Sequence, residues 1–299
     1  MEKLKMKKIS VFFICALVQM IAIGLFLRFV HAGDVVDSVV TAGSMFTPLV
    51  AVVFTQWLYK EPLFAGMGIN LNFNRWWIIG WLLIPIMSLA ILGMSLLMPG
   101  VNLSSDVLDE VTKDVPMQFS VWGFVGITLV SGLFGGATLN AMLAFGEEIA
   151  WRGFLVKELA GKKFIWAALF IGVMWGAWHF PLILNGHNYP DHPVIGVFMM
   201  MVMCASLAPV MLYFRLKGGS IVVPAVMHGT FNAVVPMTNM LVHPANDLVV
   251  GCAGVAGIIV MLLFDAAIFL YDRYITKENL FTKPMEPQVR VPEVASVNS

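Results

Sequence analysis

Long apolar runs separated by short polar breaks organise this chain, and the runs are too long for the core of a soluble domain. They extend from about Ile9 to Phe29, Val39 to Leu58, Trp76 to Met98, Val121 to Leu159, Phe164 to Leu184, Pro193 to Phe214, Ser220 to Leu241 and Leu248 to Tyr271. About 20 residues of helix cross the ~30 Å hydrocarbon layer. The pattern therefore predicts an all-α polytopic membrane protein with about eight transmembrane helices. The first run is too long for a signal-peptide core and lacks a small-residue cleavage site after Arg28, so it reads as a retained helix. The fourth, if helical throughout, would be roughly 58 Å long, nearly twice the membrane. Gly132, Gly135 and Gly136 are where a break is expected. From Thr276 the chain turns polar and gains Pro284, Pro287 and Pro292, which divides it into a membrane domain, 1–275, and a disordered cytosolic tail, 276–299.

Composition agrees. Hydrophobic residues make up 59% of the chain and charged residues 12%, with a mean hydropathy of +0.85; a soluble domain carries about a quarter charged residues. A formal net charge of zero hides an asymmetry. When eight helices are threaded with the N-terminus inside, all of the 18 lysines and arginines except Arg28 and Lys113 fall on the inner side. Cytoplasmic loops keep Lys and Arg, so both termini are expected in the cytosol, and nothing points to nucleic acid. Cys15, Cys204 and Cys252 lie in separate spans without paired spacing, as packing residues do. The outer loop 99–119, with Asp106, Asp109, Glu110 and Asp114, reads as a solvated cap. His187, Asp191 and His192, near Pro190 and Pro193, read as a solvated turn.

Against this background Glu147, Glu148 and Arg152 stand out, because ionised groups within hydrocarbon are costly unless paired or hydrated and mark functional sites by default. Glu148 and Arg152 are i and i+4, so they share a helix face and can pair. Glu147, rotated by about 100°, is free for chemistry. At the helical rise, Glu148 lies roughly 14 Å from the end of its span, His179 roughly 22 Å along the next, and His228 and Asn232 roughly 12 and 18 Å along the seventh. These depths predict that all converge in one polar cavity within the membrane. A carboxylate and an imidazole can polarise a water, while an imidazole and a carboxamide can donate to an oxyanion. Together they are the equipment for amide hydrolysis.

The same residues carry a resemblance. Glu147-Glu-Ile-Ala-Trp-Arg152 fits Glu-Glu-x-x-x-Arg, Trp175-Gly-Ala-Trp-His179 fits aromatic-x-x-x-His with Trp where Phe is commoner, and His228-Gly-Thr-Phe-Asn232 fits His-x-x-x-Asn. Over the motif core 139–234 the chain resembles the type II CAAX prenyl endopeptidases, the CPBP or Abi family of intramembrane proteases. The resemblance implies Glu147 and His179 as water activators, His228 and Asn232 as oxyanion donors, and Glu148 with Arg152 as support. It also implies a hydrophobic or prenylated peptide substrate, expected to enter from the cytosolic leaflet. No cofactor is firmly required. If zinc takes part, Glu147, His179 and His228 are the candidate ligands, although Asn is a poor one and no His-Glu-x-x-His is present. The rival class is a non-catalytic scaffold or bacteriocin self-immunity protein of the same family.

Overall fold

The structure is a computed structural model that describes residues 2–30, 32–113 and 120–286. Among these the chain is almost wholly helical. The helices are α1 (Glu2–Phe29), α2 (Asp34–Ser44), α3 (Thr47–Leu58), α4 (Arg75–Leu96), α5 (Asp106–Thr112), a long α6 (Val121–Glu158), α7 (Phe164–Trp178), α8 (Phe180–Ile183), α9 (Pro193–Gly218), α10 (Val222–Val234), α11 (Met237–Met240) and α12 (Val255–Thr276). A two-residue antiparallel pairing, β1 (Asn102–Leu103) with β2 (Val242–His243), ties the outer loop to the segment after α11.

Five helices, α1, α4, α6, α9 and α12, are long and apolar enough to cross a membrane, and α2 with α3, bent by 42° at their junction, make a sixth span if counted as one. The remaining two expected spans are shorter: α7 has 15 residues and α10 has 13. The broken elements surround the site. The chain is an integral multi-pass membrane protein.

The expected break in the fourth run does not occur. Residues 121–158 form one helix, relaxed by wide π-type turns at Gly136–Asn140 and Ile149–Phe154 rather than interrupted. Its glycines instead admit α10. A methyl group at Gly136 would lie 2.4 Å from the Thr230 Cα, and one at Gly229 only 2.3 Å from the Gly136 carbonyl oxygen. Such contact between backbones is how helices pack in lipid, where apolar side chains gain little by leaving the tails. Gly172 and Gly176 bring α7 against α9 in the same way, at Ala205 and Met201. These two seams fix the helices that carry Glu147, His179 and His228.

The tail also departs from expectation. Residues 277–286 fold back onto the α6–α7 turn: Met285 N–H donates to the Lys162 carbonyl, Gly161 N–H to that of Met285, and Phe281 packs on Phe164 at 4.6 Å. Two apolar anchors in a polar segment, Phe281 and Met285, are enough to dock it; both are buried. Residues 287–299 lie outside the described ones, as do 114–119 of the outer loop. The described part of that loop is less solvated than expected, since Leu108 is fully buried.

The candidate active site

At the floor of the site α6 carries its two carboxylates in different environments, as their 100° separation requires. Glu148 is fully buried, and its Oε1 accepts from Arg152 NH1 at 2.8 Å and from His228 Nδ1 at 2.9 Å. The Arg152 guanidinium lies over the Trp175 indole, 4.5 Å from the ring centre. The backbone beneath is pinned by Arg215, itself fully buried, whose Nε donates to the Arg152 carbonyl at 3.0 Å. This is the clamp expected from the i, i+4 spacing.

Glu147 is only 3% exposed and, among the described residues, meets no cation directly. Its Oε2 accepts from two indoles, Trp175 Nε1 at 2.7 Å and Trp151 Nε1 at 3.3 Å, and Oε1 has no hydrogen-bond partner among the described residues. Neutral donors orient the carboxylate without neutralising it. The sequence reading assigned neither role: Trp151 was given none, and Trp175 was taken only as Trp where Phe is commoner. The signal was there, because Trp151 is i+4 from Glu147 and, of Phe, Tyr and Trp, only Trp carries an N–H to give.

Hydrogen bonding also sets the imidazoles. His179, at the junction of α7 and α8, has Nδ1 2.8 Å from the Trp175 carbonyl oxygen. Nδ1 must therefore be the donor, which leaves Nε2 with a lone pair. His228 gives its Nδ1–H to Glu148, so its Nε2 is an acceptor in the neutral ring and a donor only in the imidazolium. Trp175 stands between the two, its ring 6.0 Å from His179 and 5.3 Å from His228. One residue thus touches the carboxylate, the clamp and both histidines.

Glu147, His179, His228 and Asn232 all line one cavity of about 690 Å³. Burial decreases along it, from Glu147 and His228 at the floor, through a half-buried His179, to an exposed Asn232. The walls include Trp178, Met200, Met203 and Phe231, with Asp34, Asp37, Ser38 and Thr41 of α2 at the rim. A larger space of about 980 Å³ adjoins and shares Asp37, Thr41, Leu182 and His187 with it. None of the residues lining the 690 Å³ cavity is a lysine or arginine.

The zinc alternative does not fit. Among the described residues no three His, Cys, Asp or Glu side chains are placed to hold a metal ion. Glu147 Oε2 is held by the two indoles. The outer cluster is likewise a built turn: His192 Nδ1 lies 2.6 Å from Asp247 Oδ1, and Asp191 N–H donates to Asp247 Oδ2.

Fold and site define a class: a multi-pass helical membrane protein whose buried cavity combines a carboxylate, two imidazoles and a carboxamide. Residues 119–234, which contain every one of these groups, match the profile of the family described as Type II CAAX prenyl endopeptidase Rce1-like. The chain is also 26% identical over 191 residues to a protein named CAAX prenyl protease 2 from Methanococcus maripaludis, a match covering 62% of this chain and 66% of that relative. Over residues 119–234, which are less than half of the chain, the protein is similar to the type II CAAX prenyl endopeptidase family.

Proposed function

We propose that this protein is an intramembrane endopeptidase that hydrolyses a peptide bond in a hydrophobic or lipid-modified tail. The observation that carries the reading is that Glu147, His179, His228 and Asn232, from three helices, line a single cavity within the membrane-spanning region. Its chemistry follows from the hydrogen bonds. Glu147 Oε1 and the Nε2 lone pair of His179 accept the protons of a water, which attacks the scissile carbonyl carbon. The carbonyl oxygen gathers negative charge as the tetrahedral species forms, and the Asn232 amide donates to it. His228 joins as a donor when it carries both protons. Collapse breaks the C–N bond, and the amine leaves with a proton returned by the carboxylate and imidazole that took it.

Glu148 and Arg152 touch no reacting atom in this scheme and act as positioning residues for His228 and Trp175. No step passes through a metal. The test is cleavage of a hydrophobic peptide by the purified protein in detergent, with and without chelator. Turnover that survives chelation and disappears in Glu147→Ala supports the reading, and turnover retained in Glu147→Ala overturns it. Turnover lost on chelation and restored by zinc would return the metal to the mechanism.

A further inference from the structure

Charge is distributed unevenly around the candidate site. The cavity of about 690 Å³ is lined by three carboxylates, Glu147, Asp34 and Asp37, and by no lysine or arginine. Glu147 belongs to the proposed reaction. The other two come from α2, where Asp34, Asp37 and Thr41 follow one another at spacings of three and four and so share a helix face. Acidic residues in a first helical turn stabilise the helix, a role that needs no burial and leaves Asp37 unexplained. Its Oδ1 is buried and has no hydrogen-bond partner among the described residues. Arg28 borders the adjoining space that Asp37 also lines, yet gives no hydrogen bond to that oxygen. A buried carboxylate oxygen without a donor is costly, and buried polar groups ordinarily have a partner.

The packing of α2 sets how far this oxygen lies from the chemistry. The helix ends against α6: a methyl group at Gly146, the residue before Glu147, would meet the Met45 carbonyl oxygen at 2.7 Å. Counting back from Met45, Thr41 lies roughly 6 Å and Asp37 roughly 12 Å along the helix. An extended peptide advances about 3.3 Å per residue, so Asp37 is about three to four residues from a bond held beside Glu147, or about two where a long basic side chain reaches back. Trp178, Met200, Met203 and Phe231 line the same cavity and offer apolar surface to the rest of the chain.

We infer that Asp37 is a specificity-determining residue, which pairs with a lysine or arginine of the substrate placed about two to four residues from the scissile bond. The substrate class is then an apolar peptide segment that carries a basic residue, rather than a wholly apolar one. The ammonium or guanidinium donates to the orphaned oxygen, and no lysine or arginine lines the cavity to compete for it. Asp34, of the same sign on the same face, adds to a field that attracts a base and repels an acidic residue at that place. The word substrate rests on the endopeptidase reading; the preference for a basic peptide does not.

Binding and cleavage keep the two apart. Purified full-length Glu147→Gln protein in detergent is titrated with fluorescent, N-acetylated apolar peptides carrying one lysine, norleucine or glutamate at the same position, scanned along the peptide. At its best position the lysine peptide is expected to bind about tenfold tighter than the norleucine one, with glutamate weaker than either, and added salt should narrow the gap. Asp37→Asn in the same background is expected to bring the lysine-to-norleucine ratio close to one, and Asp37→Lys to favour glutamate. Because each ratio compares two peptides on one protein, a partly unfolded preparation does not mimic the effect. A ratio near one at every position before Asp37 is changed, a lysine preference that survives Asp37→Asn, or no binding of any peptide overturns the assignment. Wild-type protein is expected to cut the lysine peptide faster than the norleucine one. A binding preference without cleavage counts against the endopeptidase reading alone.

Discussion

Two charged clusters sit on the same helix, one at the basic end of α6 and one some 17 Å, roughly eleven residues, along it. At the end, Lys8 lies 2.9 Å from Glu158, and Lys157 lies 2.9 Å from Glu61, which also pairs with Lys8. Each carboxylate there has a cation, and Glu61 retains 29% side-chain exposure. Of the two adjacent interior carboxylates, Glu148 is treated that way. Glu147 is as buried as Glu158, 3% exposed in both cases, yet it receives two indole N–H groups and no direct ion pair. A carboxylate that is paired is spent on structure. One that is oriented by neutral donors and left facing a cavity is, in the proposed reaction, the base.

The comparison can be broken at the clamp first, where the largest effect is expected. Glu148→Ala strands Arg152 in a dry site and frees His228, and removing one partner of a buried pair costs about 3–5 kcal/mol. Thermal unfolding in detergent should register that loss. A melting temperature unchanged from wild type would show that Glu148 is not the anchor. Asn232→Ala sharpens the contrast from the other side. Asn232 lies exposed at the cavity wall, so stability should hold while turnover falls by about 10²–10³, as for loss of one oxyanion donor. A change in melting without a change in turnover would assign it to packing.

Trp175→Phe keeps the ring and removes one N–H from Glu147. A hydrogen bond to a charged group is worth about 1.5–3 kcal/mol, and the loss should appear in kcat rather than KM. An unaltered kcat would mean that the indole merely fills space. The smallest effect belongs to the basic end. Burial alone would raise the Glu61 carboxyl, but hydrogen bonds and charges from Lys8 and Lys157 hold it below the usual carboxylate range. A depressed folded pKa gives stability that is present above the unfolded value, about 4.3, and is lost as pH falls through the folded one. The gap in melting temperature between wild type and Glu61→Gln should therefore narrow only in acid.

The motif residues were legible because helix geometry is periodic. The i, i+4 spacings of Glu148 with Arg152 and of His228 with Asn232 survive into the structure, and the depth arithmetic correctly placed three helices' polar groups in one cavity. Partnerships between helices were not legible. Nothing in a linear pattern says that Trp151 and Trp175 aim their N–H groups at one oxygen, or that the Trp175 carbonyl fixes the tautomer of His179. The glycines of α6 were read for what they do to one helix in isolation, whereas their role is set by α10 lying against them. The docked residues Phe281 and Met285 were hidden by the polar composition around them. That α2 lines the cavity depends on where it packs, which an apolar run beginning at Val39 does not reveal.

The most direct test of the central claim compares the two clusters in one assay. Peptide cleavage by purified protein is measured for Glu147→Gln and Glu61→Gln beside the wild type, with melting temperatures recorded for each. Glu147→Gln is predicted to lose about 10²–10⁴ of the turnover with its fold intact, and Glu61→Gln to keep nearly all of it. Equal turnover in the two variants, or a Glu147→Gln protein as active as wild type, would contradict the account.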